Sequence, residues 1–477
     1  MMWLLLSACV EPQYEAPGEP TESSAYTEQH DIVIIGAGPA GLAAASRLQG
    51  GVQSGLVLEG SDTIGGRLPP GSGELLVVGS QLQADEGVSD SVEGALSEWT
   101  LTTGAAATAA TELYLEETPT IHDHLVDLGV VFAQLSPSVL GETPRGVLIS
   151  SEGSDLTEAL LGDVPPTVEI RTGAWVDELI VENGRVVGVV VGESRIGAGA
   201  VIIATGGFTA DETLVAENVD GDTLWEPTAP EEGASGAALR WADTHGWQTA
   251  ALSAIGWHYV NLGIADETGR AIPLEFDLDP PWIWVNQAGS RFVNESTVFS
   301  LKLSAAVSQQ EATWGIGAWE DIFQAAGDHS AVEDAGSSGA LPCSSDVHAL
   351  ATSIGMDPQA LEQTLDRVQA HIAERGVDEF GRAGDSFPLL EGQTLCAFPL
   401  GVRAAKAFGG LNVDSRSGAL TRDGATIEGL FVAGEAAGMG VPGMGGIAGF
   451  DGSVSAIIWS GWRAGAAAQD SLDEDEP

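Results

Sequence analysis

The sequence is poor in basic residues, and above all in lysine. It holds 18 basic residues against 69 acidic ones, which gives a formal net charge of −51 over 477 residues. Lys302 and Lys406 are its only lysines. Such a surface repels nucleic acid and anionic lipid headgroups, so we expect no nucleic-acid partner. The same charge suits a salty medium in which counterions screen self-repulsion, or it is a compositional bias without a specific role.

Cysteine is scarce too, with Cys9, Cys343 and Cys396 in the whole chain. No CxxC pair and no CxxCH motif occurs, which excludes a zinc ribbon, a thioredoxin-type site and a covalent c-type haem within this chain. Cys343 and Cys396 form either two buried thiols or one disulfide, and buried thiols are the commoner case. His122 and His124 point in different directions on a helix, so we predict no metal site there.

Long apolar runs are missing as well, since no segment after the N-terminus has the ~20 apolar residues that span a bilayer. Leu6-Ser7-Ala8-Cys9 resembles the lipobox of bacterial lipoproteins. The resemblance implies a signal-like segment over residues 1–9, a lipid anchor at Cys9, a flexible linker over residues 10–29 and a location in the bacterial cell envelope. The apolar stretch is short and no basic residue precedes it, and a misplaced start codon would explain both features. The alternative is a cytoplasmic protein with an irregular N-terminus.

A glycine turn is the strongest signal that the sequence does contain. Gly36-Ala37-Gly38-Pro39-Ala40-Gly41 fits GxGxxG between an apolar strand, residues 31–35, and an alanine-rich helix, residues 42–48. The glycines allow a tight turn, close approach of the backbone to a pyrophosphate, and tight packing of helix on strand. A second strand ends in Glu59, 18 residues beyond Gly41, where an acid binds ribose hydroxyls. The predicted dinucleotide site therefore comprises Gly36, Gly38, Pro39, Ala40, Gly41 and Glu59.

Three further motifs distinguish FAD from NAD. They read Ile64-Gly65-Gly66-Arg67, Ala204-Thr205-Gly206-Gly207-Phe208 and Val432-Ala433-Gly434-Glu435. In this order they resemble the FAD-dependent fumarate reductase/succinate dehydrogenase flavoprotein superfamily, which also holds the ketosteroid dehydrogenases, over about residues 30 to 467. The resemblance implies a non-covalent FAD. It adds as cofactor contacts Gly65, Gly66, Arg67, Thr205, Gly206, Gly434, Glu435, Gly452 and Ser453.

The same resemblance implies an α/β fold in which a Rossmann-like FAD-binding domain with a parallel sheet carries an inserted α+β substrate-capping domain. We place the two parts of the FAD-binding domain at residues 30–256 and 386–470. The cap takes residues 257–385, which hold an aromatic stretch and a clear helix beginning at Pro358. Residues 471–477 form an acidic tail.

The family exchanges a hydride between flavin N5 and a carbon next to a carbonyl or carboxylate, while a protein group moves the proton. This chain departs from the family pattern at three positions. Val298 and Lys406 stand where fumarate reductases have an arginine and a histidine, and Val441 stands where ketosteroid dehydrogenases have a tyrosine. Because a dicarboxylate needs several cationic anchors, fumarate and succinate are disfavoured as substrates.

The remaining candidate catalytic residues are His258, Tyr259, Arg403 and Lys406. Each has a structural alternative: core packing for His258 and Tyr259, and a surface ion pair for Lys406 and, similarly, for Arg403. We predict an FAD-dependent oxidoreductase that acts on a CH–CH group of a rather apolar small molecule, ketosteroid-like or an enone. The alternative is an envelope-tethered flavin-binding protein with little turnover, acting in electron transfer or as a scaffold. The redox partner is undefined in either case.

The lipobox resemblance makes a direct prediction. A fatty-acid probe fed to bacteria that express the protein should label the wild type, and the Cys9→Ala variant should carry no label, because the lipid is attached through the cysteine sulfur. Labelling is read from the purified chain. Equal labelling of the two proteins contradicts the lipid anchor.

Overall fold

The structure is a computed structural model. It describes residues 25–48, 54–66, 73–103, 108–136, 143–150, 152–218, 234–253, 255–265, 271–274, 279–296, 310, 312–326, 329–438 and 453–474. The strands are β1 Glu28–Ile35, β2 Gly55–Leu58, β3 Glu74–Leu76, β4 Phe132–Ser136, β5 Gly146–Ile149, β6 Val168–Arg171, β7 Glu178–Glu182, β8 Arg185–Val191, β9 Ser194–Ile203, β10 Thr249–Ala250, β11 Ile255–Ala265, β12 Ala271–Pro273, β13 Trp282–Asn286, β14 Thr313–Ala318, β15 Cys343–Ser344, β16 Leu395–Pro399, β17 Gly401–Ala407, β18 Gly410–Leu411, β19 Gly418–Leu420 and β20 Thr426–Val432.

The helices are α1 Pro39–Ser46, α2 Gln81–Asp85, α3 Val92–Thr103, α4 Ala109–Asp127, α5 Leu156–Gly162, α6 Glu212–Asn218, α7 Ala237–His245, α8 Trp319–Ala325, α9 His329–Ser338, α10 Val347–Ser353, α11 Pro358–Glu374 and α12 Ser453–Glu474. Of these described helices, none combines the length and the apolar character that a membrane crossing requires.

The largest sheet confirms the predicted α/β class. Its strand order is β19-β20-β9-β1-β2-β6, and the five strands from β20 to β6 run parallel. Strand β1 carries Ile32, Val33 and Ile34, all fully buried. A continuous apolar run of this kind is typical of a parallel strand that is covered on both faces. The carboxyl ends of β1, β2, β9 and β20 meet at one edge, where ligands bind in open α/β sheets.

The last helix packs unusually closely against the first. Gly461 and Gly465 of α12 lie so near α1 that a Cβ on either would collide with the carbonyl of Ala40 or Ala44. Glycines four residues apart on one helix face let two backbones approach, because no side chain separates them. The C-terminal segment of the chain is thereby fixed beside the turn that begins α1.

A second sheet has strand order β13-β14-β16-β15. Strands β13, β14 and β15 lie in the region predicted as an insertion, whereas β16 lies beyond its predicted end at residue 385. All its described pairings are antiparallel. Strand β16 leads through Leu400 directly into β17, which pairs with β11 in a separate ribbon. The domain boundaries, including the predicted end of the cap at residue 385, stay a prediction.

Cys343 and Cys396 form a disulfide. The expectation of two buried thiols is therefore wrong, and the disulfide alternative holds. The physical reason is register, because β15 and β16 pair with the two cysteines directly opposite each other. Spacing along the sequence does not show which residues two strands bring face to face.

A buried charge cluster ties the second sheet to the segments around it. The Glu295 carboxylate accepts hydrogen bonds from Arg291 Nε at 2.7 Å, Arg291 Nη2 at 2.6 Å and Arg382 Nη1 at 3.1 Å. It also accepts the backbone amide of Trp284 at 2.9 Å. Glu295 is 3 % exposed and therefore has a structural role. Buried charges are tolerated when they are paired in this way.

Asp378 completes the cluster by accepting a hydrogen bond from Arg291 at 2.5 Å. Burial alone would raise the pKa of Asp378, but the hydrogen bonds from Arg291 and from the amide of Arg382 outweigh it and hold that pKa below its usual value. Phe387 lies against both guanidinium groups, with its ring centroid 4.6 Å from Arg291 Cζ and 4.5 Å from Arg382 Cζ. The ring shields the ion pairs from water and adds cation–π attraction.

This cluster predicts that Glu295→Gln lowers the free energy of unfolding by about 3 kcal/mol, since two buried guanidinium groups lose their shared negative partner. Chemical denaturation checks the value. Glu362→Gln is the matched control, because Glu362 is an exposed carboxylate beside His348 and its loss should change stability by less than ~0.5 kcal/mol. Equal effects in the two variants contradict the assignment.

Candidate cofactor and active site

The glycine turn at the end of β1 is held by backbone packing at two of its glycines. Gly36 has φ +105° and donates its amide to Leu58 O at 2.8 Å. A Cβ on Gly36 would collide with the carbonyl of Ala204, and one on Gly41 with the carbonyl of Gly36. These two glycines are therefore required by the protein's own packing.

Gly38 is different, because the protein around it leaves room for a side chain. The nearest heavy atom to a Cβ there would be Gly66 Cα, at 3.8 Å, an ordinary contact. Gly65 brings this second loop against the turn, since its amide donates to Ala37 O at 3.0 Å. No side chain caps α1, which begins at Pro39. The turn thus offers an uncapped helix N-terminus and a glycine whose small size only a ligand would need.

Glu59 lies beside the glycine turn. Its Oε2 accepts the amide of Ala37 at 2.7 Å, and its Oε1 accepts the amide of Ser61 at 2.9 Å. Each carboxylate oxygen has a second lone pair for a further donor. This geometry fits a carboxylate that holds ribose hydroxyls, although that contact stays a prediction.

Thr205 follows the end of β9 and faces the same edge. Its Oγ1 is buried and has no hydrogen-bond partner among the described residues. A buried hydroxyl without a partner is costly, so a bound molecule is its expected partner. Gly206 follows with φ +75°. The orphaned hydroxyl and the open space at Gly38 are two independent features that fit FAD at this edge.

The third motif is joined to the same edge by α12. Gly434 has φ +66°, and a Cβ there would lie 2.9 Å from the Cβ of Ala40. Its amide donates to Ser460 Oγ at 2.8 Å. Glu435 accepts the amide of Gly207 at 3.2 Å. Sequence reasoning missed Ser460, because nothing in the motif shows that a helix residue 26 positions later holds its first glycine.

Some residues that the sequence analysis singled out are not described by the structure. Arg67 and Gly452 lie outside the described residues, as do Val298 and Val441. Ser453 begins α12, and nothing more is described of it. Among the described residues, no group of three or more histidine, cysteine, aspartate or glutamate side chains could hold a metal ion.

The four candidate catalytic residues lie on one antiparallel ribbon formed by β11 and β17. Gly256 pairs with Lys406, but the next pair is Trp257 with Ala404, so β17 has one extra residue there. The following pair is Val260 with Val402, so β11 has the extra residue there. His258 and Tyr259 together therefore oppose the single residue Arg403. Each shift is a two-against-one bulge.

Because of the two bulges, apolar positions of the ribbon fall on one face and the candidate positions fall on the other. Strand positions alternate between two faces, and each bulge shifts that alternation by one residue. One face then collects the positions of Ile255, Trp257, Val260, Val402, Ala404 and Ala407. The other face collects the positions of all four candidates, His258, Tyr259, Arg403 and Lys406. A regular pairing without bulges would split the candidates between the faces.

This ribbon ends at the cofactor site. Ala407 is fully buried, and a Cβ on Gly207 would lie 3.0 Å from the Ala407 Cβ and 3.0 Å from Glu435 Oε2. Lys406, the neighbouring residue, is half-buried. The ribbon therefore meets the edge where Thr205 and Glu435 lie through Ala407, whose position is on the face opposite the four candidate positions.

Comparisons with known proteins agree with this site. The family described as FAD binding domain matches residues 31–450. The chain is 26 % identical over 431 residues to an NADH:fumarate oxidoreductase of Klebsiella pneumoniae, covering 87 % of this chain and 45 % of that protein. It is 23 % identical over 448 residues to a vinyl phenol reductase of Lactiplantibacillus plantarum, covering 86 % of this chain and 91 % of that protein. The chain thus spans less than half the length of the Klebsiella relative.

Solved structures share the fold. A 3-ketosteroid-delta4-(5alpha)-dehydrogenase from Rhodococcus jostii superposes with a TM-score of 0.70 at 22 % identity. The match covers 94 % of this chain and 98 % of that one. At this identity the likeness shows the common architecture, and it includes both the parallel sheet and the region around the second sheet.

The contrast between two glycines of the turn gives a prediction. Gly38→Ala should weaken FAD binding by at least about tenfold, equivalent to ~1.4 kcal/mol, because its Cβ would fill the ligand's space. The thermal midpoint of its flavin-free form should match that of the wild type.

Gly41→Ala is the control, since its Cβ collides with backbone and should lower the flavin-free midpoint. Both variants are read by FAD titration and thermal unfolding. Wild-type FAD affinity in Gly38→Ala contradicts the assignment of the turn.

Proposed function

The chain belongs to the FAD binding domain family, within the fumarate reductase/succinate dehydrogenase flavoprotein superfamily, and on this basis we propose that it is an FAD-dependent oxidoreductase. Its reaction is hydride transfer between flavin N5 and a carbon adjacent to a carbonyl group of a rather apolar substrate. The observation that carries the proposal is the bulged ribbon, which places the backbone positions of His258, Tyr259, Arg403 and Lys406 on one face of a ribbon that meets the cofactor edge through Ala407.

The proposed substrate is apolar because the chain lacks the anchors of a dicarboxylate enzyme. Val298 replaces an arginine of fumarate reductases, and the run from Val441 to Gly446 holds no basic residue. Two relatives are named for substrates other than dicarboxylates, a vinyl phenol in one case and a 3-ketosteroid in the other. This supports an enone or a ketosteroid-like molecule over fumarate.

The bound FAD supplies the hydride exchange. The protein's own residues have the remaining tasks. Arg403 and Lys406 stabilise negative charge on the carbonyl oxygen of the substrate, where preorganised cations lower the barrier most. Tyr259 or His258 holds the proton that is exchanged at the neighbouring carbon. The second sheet and its helices cover the substrate and exclude water.

We also propose an envelope location. A disulfide such as Cys343–Cys396 persists in oxidising compartments, which supports a site outside the cytoplasm. The lipobox-like residues 1–9 lie outside the described part of the chain. The redox partner stays undefined.

The function is tested by reducing the bound flavin under anaerobic conditions and offering enones, ketosteroids and unsaturated acids. The expected result is rapid return of the oxidised flavin spectrum with an enone or a ketosteroid, and none with fumarate. Lys406→Ala should slow this step about 100-fold while FAD stays bound, because one preorganised charge is lost.

Arg422→Ala is the matched control, since it removes an exposed cation from the turn after β19 and should leave the rate unchanged. A flavin that no compound in the panel reoxidises contradicts the enzyme and favours a flavin-binding protein with little turnover. A wild-type rate in Lys406→Ala contradicts the role of the ribbon.

A further inference from the structure

We propose that Trp175 is the stacking platform for the adenine ring of the bound FAD. No sequence motif includes this residue, which lies between β6 and β7. Trp175 is 50 % exposed, whereas Trp99, Trp282 and Trp459 are almost completely buried. An indole that is half in water lacks part of the favourable free energy of burying its apolar surface. A flat ligand that stacks on the ring would supply that burial.

One side of the Trp175 ring is fixed by Gly60. A Cβ built on Gly60 would lie 3.0 Å from Trp175 Cζ3 and 3.5 Å from Cδ2, and closer still to Cε3. Gly60 is not among the described glycines with positive φ, so its backbone does not require a glycine. The ring requires it. The small size of residue 60 therefore allows the indole to pack against the backbone next to Glu59.

Two backbone hydrogen bonds fix the position of the segment that carries Trp175. The Ala174 amide donates to Glu59 O at 2.8 Å, and the Gly173 amide donates to Ser61 O at 2.8 Å. These bonds join the segment that carries Trp175 to the residues on both sides of Gly60. Its position does not depend on a flexible loop.

The location identifies the part of FAD that the ring would meet. An acid at the end of the second strand binds the ribose of the adenosine half, and here that acid is Glu59. The carboxylate of Glu59 is turned toward the glycine turn by its bond to the Ala37 amide. Adenine is attached to the same ribose, and the half-exposed ring of Trp175 packs against Gly60, the residue that follows Glu59. Stacking suits this pairing, since a base presents a π-face without needing a matched hydrogen-bond pattern.

The test uses flavin-free protein titrated with ADP, FMN and FAD. In Trp175→Ala, ADP and FAD affinity should fall about tenfold, the effect expected for one lost base stack. FMN has no adenine, so its affinity should not change. Trp175→Phe keeps a smaller ring and should lose less. ADP should quench the indole fluorescence of the wild type, and less so that of Trp175→Phe.

Two further variants keep the test decisive. Gly60→Ala retains the indole but displaces it, and should weaken ADP binding in the same way. Trp319→Ala removes a half-buried indole from the second-sheet region and should leave ADP affinity unchanged. The proposal is overturned if Trp175→Ala binds ADP within about twofold of wild type, or if FMN affinity falls as much as ADP affinity. A lower thermal midpoint with unchanged ADP affinity also overturns it, because the ring would then only pack.

Discussion

The crowded contact between Gly36 and Ala204 is the constraint on which the cofactor edge depends. There the chain leaves β1 so close to the end of β9 that no side chain fits between them. Because β1 and β9 end at the same level, Thr205 emerges beside the glycine turn with its hydroxyl buried. The bond from Gly36 to Leu58 brings β2 to this level too, which delivers Glu59. One close approach of backbones thus aligns the glycine turn and Glu59 with Thr205, which is far from both in sequence.

The fourth element of the edge comes from the end of the chain and is held by a different device. Helix α12 lies directly on α1 through Gly461 and Gly465. Ser460 of this helix accepts a hydrogen bond from the Gly434 amide, and Glu435 accepts one from the Gly207 amide. The two glycines make the helix contact possible. The buried hydroxyl of Ser460 then fixes the position of the last motif by its hydrogen bond to Gly434. The ribbon of β11 and β17 reaches the same place through Ala407.

What could be predicted from the sequence follows from how local each feature is. The glycine turn, its flanking strand and helix, and the acid that ends β2 are encoded within about 30 residues, since spacing and polarity determine them. The ribbon is different, because its two bulges depend on which residues of β11 meet β17. The family pattern points to these four residues, but only the pairing shows that their backbone positions fall on one face. The disulfide and the seat of Trp175 on Gly60 likewise depend on contacts between distant segments.

We infer that the glycine turn and its three partner motifs hold one non-covalent FAD. The most direct measurement is the flavin content of the purified chain. We expect one FAD per chain, with a yellow colour, released into the supernatant when the protein is precipitated with acid. A colourless protein that cannot be loaded with added FAD would contradict it, and so would a flavin that stays attached to the precipitated chain.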